Sequence, residues 1–207
     1  MDIVAFFSVV VSLIFIMDPF ASLPMFISVT KGLDSKTVRS YCNRAVLVAA
    51  ILLYVFIFIG EPLMDLFGIS MESFQVAGGL VLVLMGVELI FALKLSKSDG
   101  SEKDAPWVII ATPVLTGPGV ITASILLTGE YGYPLVVLAG TLALAATWLL
   151  LRCAPFIMRM VGDKALSVMS RIVGLLIAAL GVEYMFTGAW DWVAVHDAAA
   201  AVASLVL

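Results

Sequence analysis

Long apolar runs alternate with short polar bridges along this chain, a pattern typical of a protein that crosses a membrane several times. A helix needs about 20 apolar residues to cross the hydrocarbon core of a bilayer. The runs that fit, with ends placed to within a few residues, are 3–29, 45–60, 74–94, 106–128, 134–151 and 170–189. The pattern therefore predicts an all-α membrane protein with six transmembrane helices. The first run is too long for one straight crossing.

The basic residues separate the two sides of the predicted membrane. All 11 Lys and Arg residues lie in the three bridges that follow the first, third and fifth spans. The remaining bridges and both chain ends carry acidic residues but no basic ones, for example Asp2, Glu61, Glu130 and Asp191. By the positive-inside rule, the basic bridges are cytoplasmic and both termini are extracytoplasmic. Residues 1–17 lack the features of a cleaved signal peptide, so we expect them to begin the first helix.

Composition agrees with this topology and excludes several classes of protein. Hydrophobic residues make up 63% of the chain and charged residues 13%, against about 45–50% and about 25% in soluble domains. The net charge of −4 offers no basic surface for nucleic acid. Cys42 and Cys153 form no CxxC motif, and no HExxH motif is present, so we expect no cofactor, no metal and no enzyme activity. We interpret His196 as a solvated residue of the tail.

An internal repeat is the most informative feature of the sequence. The pattern G-L-x5-G-V-E-x-x-F begins at Gly79 and again at Gly174, 95 residues later. A pair of prolines five residues apart begins at Pro19 and again at Pro113, 94 residues later. Each copy holds three spans, so the second copy enters the membrane from the opposite side. The expected units are 1–95, the inverted copy 96–190, and an extracytoplasmic tail 191–207 that is a short surface helix or disordered.

The proline pairs predict broken helices in the first and fourth spans. Asp18 and Thr112 have the positions of N-caps before proline, and 117–119 (Gly-Pro-Gly) offers a second helix start without guarding side chains. A helix that begins inside the membrane points N–H groups and a positive dipole end at its surroundings, which suits an anion such as a carboxylate. The alternative is that the prolines only kink the helices for packing.

Three acids lie in the interior of the spans, where no Lys or Arg occurs: Asp18, Glu88 and Glu183. An ionisable group inside the bilayer is a candidate functional residue. Each acid is therefore a candidate for proton exchange or for binding a cation or a substrate ammonium, with a structural role as the alternative. The glycines of the third and sixth spans indicate either close helix packing or the passage of a small ligand along the backbone.

At these residues the chain resembles the MarC family of six-span membrane proteins, which includes the archaeal small neutral amino-acid transporter SnatA. The resemblance covers almost the whole chain and rests on 18–26, on 112–122 and on the Gly-rich third and sixth spans. Thr116 stands where the family often has Ala, and Glu183 where it often has Gln. The resemblance implies a multi-pass carrier in the cell (inner) membrane, with proton-linked transport of glycine, alanine and similar amino acids in some members.

We therefore interpret the chain as a secondary transporter that works by alternating access. Its expected partners are a small neutral amino acid, a coupling proton or sodium ion and the lipid bilayer, without nucleic acid; a homo-oligomer is left open. Rival interpretations are an exporter of amino acids or other small metabolites and a non-transporting membrane scaffold. The expected substrate-binding residues are Asp18, Pro19, Ser22, Pro24, Gly79, Thr112, Pro113, Thr116, Gly117, Pro118, Gly119 and Gly174. The expected proton-coupling residues are Asp18, Glu88 and Glu183.

Overall fold

The computed structural model describes residues 3–30, 32–92 and 117–206. Throughout this part of the chain the regular structure is α-helical, without strands. Its seven helices are α1 (Ile3–Met17), α2 (Pro19–Thr30), α3 (Ser35–Phe67), α4 (Met71–Phe91), α5 (Pro118–Tyr131), α6 (Tyr133–Arg152) and α7 (Ala154–Val206). The all-α prediction is thereby confirmed.

Within the described ranges, five segments are long and apolar enough to cross a membrane: Ile3–Pro24, Ser35–Phe67, Met71–Phe91, Tyr133–Arg152 and Lys164–Val195. They match the first, second, third, fifth and sixth predicted spans. The predicted fourth span, 106–128, lies partly outside the described residues, and α5 covers its second half.

Several helices extend past the apolar runs that predicted them. α3 begins ten residues before the predicted span at 45, because Asp34 caps it and its first turns are polar. α7 contains a kink at Gly162, where φ is 78° and ψ is 159°, and then runs to Val206. The backbone of the predicted tail is helical to Val206 as a continuation of α7, and the boundary at 191 coincides with no break in the helix.

The two chain segments predicted to be broken lie at the centre of the helix assembly. α5 is buried on all sides, with nine buried residues among its 14, as expected for a helix without a solvent face. It packs against α1, α3, α4 and α6, while α1 also packs against α6 and α7. Large apolar side chains remain exposed on the outer helices, for example Leu66, Phe67, Phe156 and Phe186. Such an exterior suits lipid contact.

α3 and α6 form an antiparallel pair that is joined by hydrogen bonds along its length. The Tyr133 hydroxyl donates to Glu61 Oε2 over 2.8 Å, and the Tyr54 and Thr141 hydroxyls lie 2.8 Å apart. Near the opposite end, the Trp148 indole N–H donates to Asn43 Oδ1 over 2.8 Å. These bonds fix the register of one wall beside the central helices.

α4 and α7 form the second antiparallel pair, in which backbone meets backbone. A Cβ atom added to Gly86 would lie 2.5 Å from the Gly174 carbonyl oxygen, and one added to Gly181 would lie 2.5 Å from the Gly79 carbonyl oxygen. Only glycine permits this approach. The structure therefore places Gly79 and Gly174 in a helix–helix contact, the packing alternative. The neighbouring helix occupies the space beside both glycines, and a role for Gly79 and Gly174 in substrate binding stays a prediction.

The cap of α3 makes stability depend on pH. The Asp34 carboxylate accepts hydrogen bonds from the Lys36 and Thr37 N–H groups, at 3.0 and 3.2 Å, and from the Thr37 hydroxyl. These bonds hold the pKa of Asp34 below its ordinary value of 3.8. The stabilisation is therefore fully present above the ordinary pKa and is lost as pH falls through the depressed value.

Asp34→Ala is accordingly expected to lower the unfolding temperature slightly at pH 7, with a smaller difference from wild type below about pH 4. Thermal unfolding in detergent, followed by intrinsic fluorescence, measures both differences. Asp34→Asn is the control, because asparagine also caps helices well. A difference that stays constant down to the lowest pH at which the protein is folded would contradict this account of the cap.

Candidate functional site

The first span breaks at Asp18, as the Asp-Pro pair predicts. α1 ends at Met17 and α2 begins at Pro19, and Asp18 between them has a φ of 35°. Asp18 Oδ1 accepts a hydrogen bond from the Ala21 N–H over 3.2 Å. This is the bond that an N-cap side chain makes to the third residue of a helix. Pro19 occupies the first helical position, where its missing N–H costs no intrahelical bond.

The second carboxylate oxygen of Asp18 is the most unusual atom at the break. The Asp18 side chain is 3% exposed, and its Oδ2 has no hydrogen-bond partner among the described residues. A buried polar oxygen carries a desolvation cost, which no hydrogen bond from the described residues offsets at Oδ2. It can be relieved by a proton, a cation or a hydrogen-bond donor on a ligand.

Ser22 and Pro24 lie on α2, close to the break. The Ser22 hydroxyl is fully buried and donates to the Asp18 carbonyl oxygen over 3.0 Å, so it stabilises the turn. Pro24 lies inside α2, which continues to Thr30. Of the two prolines in the first pair, only Pro19 therefore lies at a helix boundary. The helix tolerates Pro24, although the Phe20 carbonyl loses the N–H that would bond it four residues on.

The start of α5 is built as predicted for 117–119. Gly117 is the N-cap, with extended backbone and no side-chain cap, and Pro118 opens the helix. The Val120 and Ile121 N–H groups donate to the Gly117 carbonyl oxygen over 3.0 and 3.3 Å. Gly117 and Gly119 are both buried. Thr112, Pro113 and Thr116, the other candidates of this region, lie outside the described residues.

The break at Asp18 and the start of α5 lie close together inside the helix assembly. A Cβ atom added to Gly119 would lie 2.5 Å from Met85 Sδ, 3.2 Å from Leu82 Cδ2 and 3.4 Å from Ile16 Cγ2. The start of α5 therefore touches the end of α1, two residues before Asp18, and the middle of α4. We refer to this region, Asp18–Pro19 together with Gly117–Gly119, as the central break.

The three membrane acids lie at different depths rather than together. Gly79 faces Gly181 across the α4–α7 pair, so Glu183 is level with about residue 77 of α4. Glu88 is eleven residues further along α4, a rise of about 16 Å. Glu88 is half-buried near the end of α4, and Glu183 is exposed on α7. Asp18 alone belongs to the central break.

A polar cavity of about 390 Å³ lies between α1, α4, the end of α5 and α7. Its lining residues are Ser8, Val9, Ser12, Gln75, Leu127, Glu130, Tyr131, Leu180, Glu183, Tyr184, Thr187 and Asp191. We name it the polar cavity. Of these residues, Glu183 is the one that the sequence predicted as a functional acid. The missed signal is that Ser8 and Ser12 share one face of α1 at a spacing of four residues.

These features define a polytopic α-helical integral membrane protein with a broken central helix. The sequence model of the MarC family integral membrane proteins matches residues 3–193, and the chain belongs to this family. It is 29% identical to UPF0056 inner membrane protein YhgN of Escherichia coli K12, over 89% of this chain and 96% of that protein. It is 30% identical to UPF0056 membrane protein MJ1677 of Methanocaldococcus jannaschii, over 91% and 97%. No solved structure matches the chain.

Proposed function

We propose that this protein is a secondary transporter of small neutral amino acids, such as glycine and alanine, and that it binds them at the central break. The observation that carries the proposal is the buried Oδ2 of Asp18, which has no hydrogen-bond partner in the described part of the chain. An ionisable group placed at a helix break inside the membrane marks a substrate or ion pathway. A carrier of this kind performs no bond-breaking chemistry and needs no cofactor.

The central break combines a negatively charged side chain with the positive end of a helix dipole. Asp18 offers a carboxylate, while α5 begins at a glycine N-cap without a guarding side chain. The α5 start carries a positive dipole end, which favours a substrate carboxylate. The ammonium group of the same amino acid then pairs with Asp18 Oδ2. Gly119 packs directly against Met85 and Leu82, and this close packing is the reason why the proposal names amino acids with small side chains.

The α4–α7 contact supports two inverted repeats that rock around this site. Gly79 and Gly174 are equivalent in the sequence repeat, as are Gly86 and Gly181, each pair 95 residues apart. The contact between Gly79 and Gly181 therefore has its counterpart in the contact between Gly174 and Gly86. A two-fold axis in the membrane plane would produce this exchange.

Proton coupling follows from the same acids in this proposal. Asp18 carries the coupling proton when no ammonium group neutralises it, while Glu88 and Glu183, at opposite ends of the α4–α7 pair, serve as relay acids. With both termini outside, Glu183 and the polar cavity lie on the extracytoplasmic side. Sodium is the alternative coupling ion. Transport of other small metabolites, export, and a scaffold without ligand are outcomes that the following experiment distinguishes.

Purified protein in detergent is expected to be stabilised against thermal unfolding by glycine, alanine or serine, more strongly at one of pH 5.5 and 7.5. A ligand that binds only the folded state stabilises it by about 2.7 kcal/mol at one hundred times its dissociation constant. In proteoliposomes, uptake of labelled alanine should follow an imposed proton gradient and persist without sodium. Neither stabilisation nor uptake with any of the twenty amino acids would favour the scaffold.

A further inference from the structure

Arginine residues from two helices come together at one end of the α3–α6 pair. The Trp148 indole of α6 bonds to Asn43 of α3, so these two residues lie opposite each other. Arg39 is four residues before Asn43 on α3, and Arg152 is four residues after Trp148 on α6. Because the helices are antiparallel, both steps lead about 6 Å toward the same end of the pair and stay on the same face. Arg39 and Arg152 are therefore level with each other, and both are exposed.

The Arg152 guanidinium is positioned by the Trp148 ring. Its central carbon lies 4.9 Å from the ring centroid, a cation–π contact. The bond from the Trp148 N–H to Asn43 Oδ1, at 2.8 Å, in turn orients the ring. The ring contacts one face of the planar guanidinium and leaves the N–H groups at its edge accessible. Because the guanidinium is ordered before a ligand arrives, binding costs less conformational entropy.

The charge at this end of the pair is positive. Lys36 lies about one turn before Arg39 and is also exposed. α6 contains no acidic residue, and α3 contains none before Glu61, which is near its other end. Asp34 precedes α3, and its carboxylate caps that helix. This end of the pair therefore attracts anions, and the arginine fork matches the geometry of a phosphate group.

Exposed leucines continue from this end toward the middle of both helices. On α3, Leu47 lies two turns after Arg39 and is 59% exposed. On α6, Leu149 lies about one turn before Arg152 and is 57% exposed, and Leu142, two turns further on, is exposed as well. A phospholipid joins a phosphate group to apolar chains in the same order. A soluble phosphate compound would leave the apolar surface without a partner.

We propose that the basic end of the α3–α6 pair, formed by Arg39, Trp148 and Arg152, is a binding site for an anionic phospholipid. The phosphate group lies between the two arginine side chains, and an acyl chain follows Leu47 and Leu149. Basic pockets between transmembrane helices bind the headgroups of anionic lipids in this manner. The site shares no residue with the central break, so it does not depend on amino-acid transport.

The probe is dioleoyl phosphatidylglycerol, added in mixed micelles to purified protein in a neutral detergent at pH 7, with thermal unfolding as the readout. Dioleoyl phosphatidylcholine is the first control, because it has the same acyl chains and phosphate group but no net charge. Sodium phosphate at equal ionic strength is the second, since it supplies the phosphate without the chains. We expect phosphatidylglycerol to stabilise the protein more than either control. The double variant Arg39→Gln/Arg152→Gln should weaken its apparent affinity at least tenfold.

Three further variants separate a built site from general attraction by positive charge. Arg159→Gln/Arg171→Gln removes two exposed arginines of α7, the same change in net charge, and should leave the affinity for phosphatidylglycerol unchanged. Trp148→Leu should weaken that affinity without removing a charge, because Arg152 loses the ring that positions it. Asp18→Asn should retain phosphatidylglycerol binding, so failure of amino-acid transport does not bear on this site. Equal stabilisation by phosphatidylcholine or sodium phosphate, or an equal loss of affinity in both double variants, would overturn the proposal.

Discussion

Asp18→Asn is expected to abolish amino-acid uptake into proteoliposomes while the protein remains folded. Asparagine retains an oxygen that can accept the Ala21 N–H bond now made by Asp18 Oδ1, and asparagine caps helices as well as aspartate. The substitution removes the charge that would pair with a substrate ammonium and the group that would carry a proton. Loss of one partner from a buried ion pair costs about 3–5 kcal/mol, about two to four orders of magnitude in affinity.

Asp34→Asn is the matched control for this prediction. Asp34 is also an N-cap aspartate whose carboxylate accepts helix N–H bonds, but it is fully solvent-exposed before α3. The same chemical change there should leave uptake and its pH dependence unaltered. Uptake by Asp18→Asn at the wild-type rate, with the wild-type pH dependence, would show that Asp18 only caps α2 and that the central break has a structural role.

The break at Asp18 could be predicted because its cause is local. An N-cap aspartate followed by proline favours a helix start through local contacts alone. The same reasoning placed the start of α5 at Gly117 and Pro118. That reasoning did not show which of the two prolines in a pair would lie at a helix boundary. Pro24 lies within α2, which continues past it to Thr30.

The polar cavity could not be predicted, because its wall is assembled from four helices that are distant in the sequence. Ser12 and Tyr184 are adjacent only once α1 has packed against α7. Each polar lining residue taken alone resembles an ordinary residue near the end of a span. The contacts between the glycines of α4 and those of α7 could not be predicted for the same reason. Spacing identified a small-residue face on each helix, while the contact of Gly86 with Gly174 depends on how the helices cross.

Valine substitutions at the four glycines of the α4–α7 contact are expected to destabilise the protein severely. At Gly86 the added Cβ would lie 2.5 Å from the Gly174 carbonyl oxygen and 2.7 Å from the Ala178 nitrogen. Backbone atoms cannot rotate away, so the helices must separate. Overpacking costs about 1–3 kcal/mol, occasionally more, and valine adds two further methyl groups. Helix propensity acts in the opposite direction, because valine is a better helix former than glycine.

Thermal unfolding of Gly79→Val, Gly86→Val, Gly174→Val and Gly181→Val measures the effect. Gly129→Val is the control, since its Cβ would meet only the flexible end of Met71, the closest atom being Cε at 2.5 Å. If the chain is built from two inverted repeats, Gly79→Val and Gly174→Val should cost similar amounts, as should Gly86→Val and Gly181→Val. Equivalent glycines with clearly unequal costs would contradict the repeat, and tolerance of all four substitutions would contradict the close contact itself. The four measurements therefore separate the packing of α4 on α7 from the symmetry that a rocking mechanism requires.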